Sequence, residues 1–85
     1  MGKIALWLVL VYGGHTAGTW GPLPYDMDQC EQRRDTLTRE AARIVMTGKS
    51  STGEIIPEAN IKQIAAMRFT CEYRIGRPQL GEHHE

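Results

Sequence analysis

Residues 4–12, IALWLVLVY, carry no polar side chain except one tyrosine hydroxyl. Val, Leu, Ile, Trp and Tyr favour strands, and Gly13-Gly14 follows as a turn signal, so the run predicts a strand that enters a hairpin. Residues 15–20 are Thr-rich and end in Trp20, as an antiparallel partner would, with Gly18 a candidate bulge. Gly21-Pro22-Leu23-Pro24 cannot continue a ladder, because proline lacks the amide donor and restricts the residue before it. The chain leaves the sheet here.

Asp26 is placed to cap a helix, with Gln29 three residues on completing a capping-box pattern and Asp28 near the positive helix end. Met27, Cys30, Leu37, Ala41, Ile44 and Val45 then recur at helical spacing, with Arg34 on the same stripe. Glu31, Asp35, Arg39 and Arg43 mark the other side, and Gly48 is a stop signal. Residues 49–54, KSSTGE, read as a mobile polar loop. Pro57 suits the first turn of a second, shorter helix carrying Ile61, Ile64 and Ala65, although Ile55-Ile56 is also compatible with a scrap of strand. Residues 67–75 alternate, with Met67, Phe69, Cys71, Tyr73 and Ile75 on one face and Arg68, Thr70, Glu72 and Arg74 on a wet one. Gly76-Arg77-Pro78 breaks this strand.

The predicted fold is α+β: a three-stranded antiparallel sheet in the order 2-1-3, one long helix packed on it and a second short helix, β-β-α-α-β. Residues 1–78 form a single domain, and residues 79–85 read as a flexible polar tail. A central first strand accounts for its apolar character on both faces, but one long helix covers only one of them. The face bearing Trp7, Val9 and Val11 needs a second cover, either the short helix or a second subunit across a two-fold axis. Left open, it is where a partner would bind.

An 85-residue chain allows one small domain, in which support from a crosslink or a dimer is unsurprising. Ten basic and ten acidic side chains cancel, so no global charge draws the chain to nucleic acid or an anionic membrane. Apolar content of 41% with 24% charged residues argues for a folded protein. Met1-Gly2-Lys3, the apolar run and the small residues near Ala17 also have the outline of a secretory signal, too short to span a bilayer. The strand reading is preferred, since cleavage would strip the domain of its most apolar segment.

Cys30 and Cys71 are the only cysteines, one in the first turn of the helix and one on the inward face of the last strand. Either they form a disulfide, closing a loop of about 40 residues and adding about 3 to 4 kcal/mol, or they are reduced apolar fillers in a cytosolic protein. Zinc is disfavoured, because close cysteine pairs are missing and His83-His84 lie on the tail. A Cys30–His15 catalytic pair would need a pocket joining a helix start to a hairpin tip. Thr47-Gly48-Lys49-Ser50 imitates the end of a phosphate-binding loop, but Arg43 stands where its first glycine belongs and a helix precedes it. The expectation is no enzyme, no cofactor and no metal.

Two features address partners. Arg33, Arg34, Arg39, Arg43 and Lys49 against Asp35 and Glu40 give residues 32–49 a local charge of +3, either a solvated helix face or a basic patch for nucleic acid without an aromatic stacking platform. Trp20 and Tyr25 make an aromatic corner where sheet hands over to helix. It is either a hydrophobic staple or an anchor for a protein partner.

Trp7, Gly13, Gly14, Gly21, Pro22 and Cys30, followed by Cys71 in a final strand, resemble short accessory proteins of bacteriophages and prophages. The resemblance covers about residues 4–45 and 67–75, and residues 49–66 depart from the shorter pattern. It implies an accessory gene product of a phage or its host, with no catalytic residues to carry over. The function expected is a non-enzymatic protein-interaction module of a phage accessory, virion or host-inhibitory kind, binding a protein partner or forming a homodimer, in the host cytoplasm or the virion and away from membranes. A nucleic-acid-binding module using the helix arginines and a secreted, disulfide-stabilised small domain are the alternatives.

Overall fold

The computed structural model describes residues 2–84, so Met1 of the possible signal and Glu85 of the tail lie outside it. Its elements are β1 (Ala5–Tyr12), β2 (His15–Trp20), α1 (Met27–Thr47), α2 (Glu58–Ala66) and β3 (Met67–Arg74). They form one antiparallel sheet in the order β2-β1-β3, the α+β arrangement expected.

The hairpin turns on Gly13 and Gly14, with φ of 62° and 79°. Two consecutive positive φ values make the turn whose twist suits a two-residue hairpin. The ladder slips between Leu10, opposite Gly18, and Val11, opposite Thr16. The extra residue is therefore Ala17, beside the Gly18 that the sequence suggested. Gly21, at φ 147°, lies so close to β1 that an added Cβ would stand 2.8 Å from the Trp7 ring and 3.0 Å from the Leu6 carbonyl oxygen. The Leu23 amide donates to that same carbonyl at 2.9 Å, fixing the exit to the helix.

Asp26 occupies the N-cap of α1 in extended backbone, but its side chain makes no capping hydrogen bond. The expected capping box is not formed. Only the Asp26 carbonyl takes part, accepting from the Cys30 amide at 3.1 Å. The C-terminus matches expectation: Gly48 is left-handed and its amide reaches the Ile44 carbonyl. The following loop is tied rather than loose, through Ser50 N–H to the Glu54 carbonyl and Ile56 N–H to the Gly48 carbonyl. Pro57 is the N-cap of α2, one residue before its first turn, and α2 runs straight into β3.

On the helix side Leu6, Leu8 and Cys30 are buried, with Leu23, Tyr25, Met27, Leu37, Phe69 and Cys71 packed around them. A disulfide joins Cys30 to Cys71 and fastens the first turn of α1 to the middle of β3. Beyond it the 21-residue helix runs past the sheet towards α2. The radius of gyration is 14.2 Å, above the about 12 Å of a compact chain of this length.

Trp7, Val9 and Val11 are buried on the other face. Neither the short helix nor a second subunit is needed, because the C-terminal segment is the cover. It runs antiparallel along β2: Gly81 N–H donates to the Thr16 carbonyl at 2.7 Å, Thr16 N–H to the Glu82 carbonyl at 2.8 Å, and His84 N–H to the Gly14 carbonyl at 2.7 Å. His15 and His83 form a β-bridge, and Pro78 is buried. Residues 79–84 are thus an ordered strap where a frayed tail was expected.

Candidate interaction surfaces

The strap is held by polar side chains on the face of β3 that looked wet. Glu72 accepts from Thr70 Oγ1 and meets His84 Nε2, both at 2.5 Å. Arg74 bridges Glu72 at 3.0 Å and Glu82 at 2.8 Å. Arg68 Nη2 approaches His84 Nδ1 at 3.2 Å. An arginine can only donate, so this contact makes Nδ1 the acceptor and leaves Nε2–H to donate to Glu72. Burial acts to raise the Glu72 pKa, but hydrogen bonds from Thr70, His84 and Arg74 outweigh it and hold the carboxyl below its ordinary value. The Arg74 hydrogen bond lowers Glu82 in the same way.

Next to this network Arg77 lies over the Trp7 ring, 4.9 Å from its centroid. The same guanidinium donates to Thr19 Oγ1 at 3.0 Å and to the Gly21 carbonyl at 3.2 Å. A cation over an indole is attracted by the ring quadrupole. Trp7, Val9 and Val11, candidates for a partner surface from sequence, therefore form an internal core. Their expected role is corrected: the chain's own strap occupies the face.

The helix side is different, because α1 leaves an open surface on each of its flanks. On the β2 flank Trp20 is 44% exposed. Its ring lies across Gly18, 3.2 Å from where a Cβ would stand, with its centroid 6.4 Å from that of Phe69. Strand parity puts Leu10 and Tyr12 on this side as well, and Tyr12 is exposed. Tyr25, the other residue of the expected corner, packs half-buried into the same cluster as Cys30. It stands at the position before the N-cap and Cys30 at the fourth helical one, which is staple geometry.

On the opposite flank a groove of about 650 Å³ is bordered by Thr38, Ala42 and Val45 of α1, Ile64 of α2, and Met67, Arg68 and Phe69 of β3. Alternate strand residues face opposite ways, so three consecutive ones border a single hollow only at a strand edge. The groove opens at the outer edge of β3 near the strand's start, an edge that pairs with no strand among the described residues. Arg34 and Asp35 stand at its rim, bonded to each other at 3.1 Å.

The helix arginines do not gather into one patch. At about 100° per residue, Arg43 stands about 180° around the helix from Arg34 and Arg39 about 140° from it. Arg34 is held by Asp35 and lies 3.8 Å from Glu31, Arg39 donates to Thr36, and Arg33 borders a shallow hollow beside Tyr25. The possible catalytic pair is not assembled: Cys30 is bonded to Cys71, while His15 Nδ1 lies 3.0 Å from the Gly13 carbonyl and its ring packs edge-on against His83. Among the described residues no group of three potential ligands gathers for a metal ion, and no helix is long and apolar enough to cross a membrane. Sequence reasoning missed the groove and the strap. Compared with protein-family models, curated proteins and solved structures, the chain matches none.

Proposed function

We propose that the protein is a non-enzymatic interaction module that binds a macromolecular partner through the helix side of its sheet, as a phage accessory, virion or host-inhibitory protein would. The observation that carries this reading is Trp20, a large aromatic left 44% exposed beside Phe69 while the opposite face of the sheet is closed by the chain itself. Tryptophan at the centre of an open apolar surface is the residue type that contributes most to protein interfaces. Its truncation leaves the buried core untouched, so function and folding separate cleanly. In affinity capture from host lysate followed by measured binding of the captured protein, Trp20→Ala is expected to weaken binding at least tenfold, whereas His83→Ala on the strap has no effect. Equal binding by wild type and Trp20→Ala would refute the reading.

The disulfide supports a second, compatible reading, that the domain works in an oxidising compartment as an exported protein or virion component. Alkylation and mass spectrometry of protein from its native source test it. Two freely alkylating thiols would remove it. Nucleic-acid binding through the helix arginines has less support, since their side chains leave α1 on different sides.

A further inference from the structure

We infer that the outer edge of β3 and the adjoining groove are filled by β3 of a second copy of the chain, giving a two-fold dimer with a continuous six-stranded sheet. This goes beyond the partner reading and does not rest on it, since the partner surface lies on the other flank of α1.

An edge strand presents unpaired backbone donors and acceptors, and proteins guard such edges by a cover, a proline or a bulge. The β2 edge has its guard in the strap, bonded at Gly14 and Thr16. β3 is eight residues long, contains no proline, and its ladder to β1 is unbroken from Met67 to Arg74. Among the described residues no strand pairs with its outer edge.

Two-fold antiparallel pairing of β3 with itself keeps like faces together, so the numbers of paired residues sum to an even value. Centring the axis on Thr70 sets Arg68 opposite Glu72 of the second copy, and the reverse. Cross-strand pairs of opposite charge support a sheet, whereas like charges oppose it. Centring on Cys71 would set Arg68 against Arg74, and centring on Glu72 would oppose two carboxylates. The Thr70 register also brings Tyr73 of the second copy opposite Met67, at the groove. Tyr73 is 57% exposed in the single chain and lies on the helix-facing side by strand parity. Val45 and Met46 of α1 border the same groove, the latter 86% exposed. Knob and hole thus occur on one strand, at opposite ends, as a self-complementary interface requires.

Sedimentation velocity of the oxidised protein over about 1 to 100 µM tests the inference, with circular dichroism confirming that each variant is folded. The wild type is expected to sediment at twice its chain mass of 9.6 kDa. Tyr73→Lys and Val45→Asp, both at positions exposed in the single chain, are each expected to return it to monomer, while Trp20→Ala stays dimeric. A monomeric wild type at 100 µM would overturn the inference, and so would a dimer that survives both substitutions. Neither result touches the Trp20 reading, which is judged by partner binding.

Discussion

Reducing the Cys30–Cys71 bond is the perturbation whose size follows most directly from the structure. The bond joins residues 41 apart in sequence. Closing a loop of that length removes about 13 cal/mol/K from the unfolded chain, or about 4 kcal/mol at room temperature. A domain of 85 residues has an unfolding entropy near 180 cal/mol/K, so this corresponds to a fall in melting temperature of about 20 °C. The effect is large because small domains retain only about 4 to 13 kcal/mol of net stability. Differential scanning calorimetry of the same protein with and without reductant measures it without changing a side chain. Cys30→Ala/Cys71→Ala should melt close to the reduced form, with a further decrement for thiol atoms lost from a site where Cys30 is fully buried. A drop under about 5 °C would mean that the bond constrains a loop already ordered in the unfolded state, and would contradict this stabilisation.

Deleting residues 77–84 uncovers Trp7, Val9 and Val11, whose burial is worth roughly 1.5 to 3 kcal/mol each. The truncated chain is expected to bind a hydrophobic dye and aggregate, and a soluble product with an unchanged melt would contradict the strap. Glu72 and Glu82 have lowered pKa values in the folded state, so their contribution is complete above the ordinary carboxylate range and fades as pH falls through the lower folded values. In urea titrations Glu72→Gln should therefore be less stable than wild type at pH 7, and the gap should close in acid; a constant gap would remove the carboxylate's role. Gly21→Ala forces a Cβ against the Trp7 ring and the Leu6 carbonyl at a φ of 147°, and is expected to cost about 2 to 4 kcal/mol. A denaturation midpoint equal to wild type would show that this turn has room to shift.

The sheet order was legible because period and punctuation agree: IALWLVLVY is apolar on both faces, Gly13-Gly14 closes a hairpin, and 67–75 alternates. The strap was not, since its attachments are backbone hydrogen bonds and ion pairs that carry no hydrophobic period. One sign of it was present. Arg68, Thr70, Glu72 and Arg74 form a polar row, and the ending Glu82-His83-His84 supplies partners for such a row, but polarity was read as exposure. The disulfide was left open by spacing alone, because only the crossing of α1 over β3 sets the distance between Cys30 and Cys71. The separation of Arg34 from Arg39 and Arg43 was within reach of helical arithmetic, whereas local charge ignores direction. The groove depends on where α1 lies across β3, and no residue pattern encodes that offset.

The proposed contacts lie on the helix side of the sheet, and the strap closes the other side. A photo-crosslinking amino acid placed singly at Tyr12, which is exposed on the same side as Trp20, and at Val45, Gln79 and His83 is irradiated with the captured partner present. Adducts are predicted at Tyr12 with the partner and at Val45 with a second copy of the chain, and none at Gln79 or His83. Adducts confined to Gln79 and His83 would contradict the account.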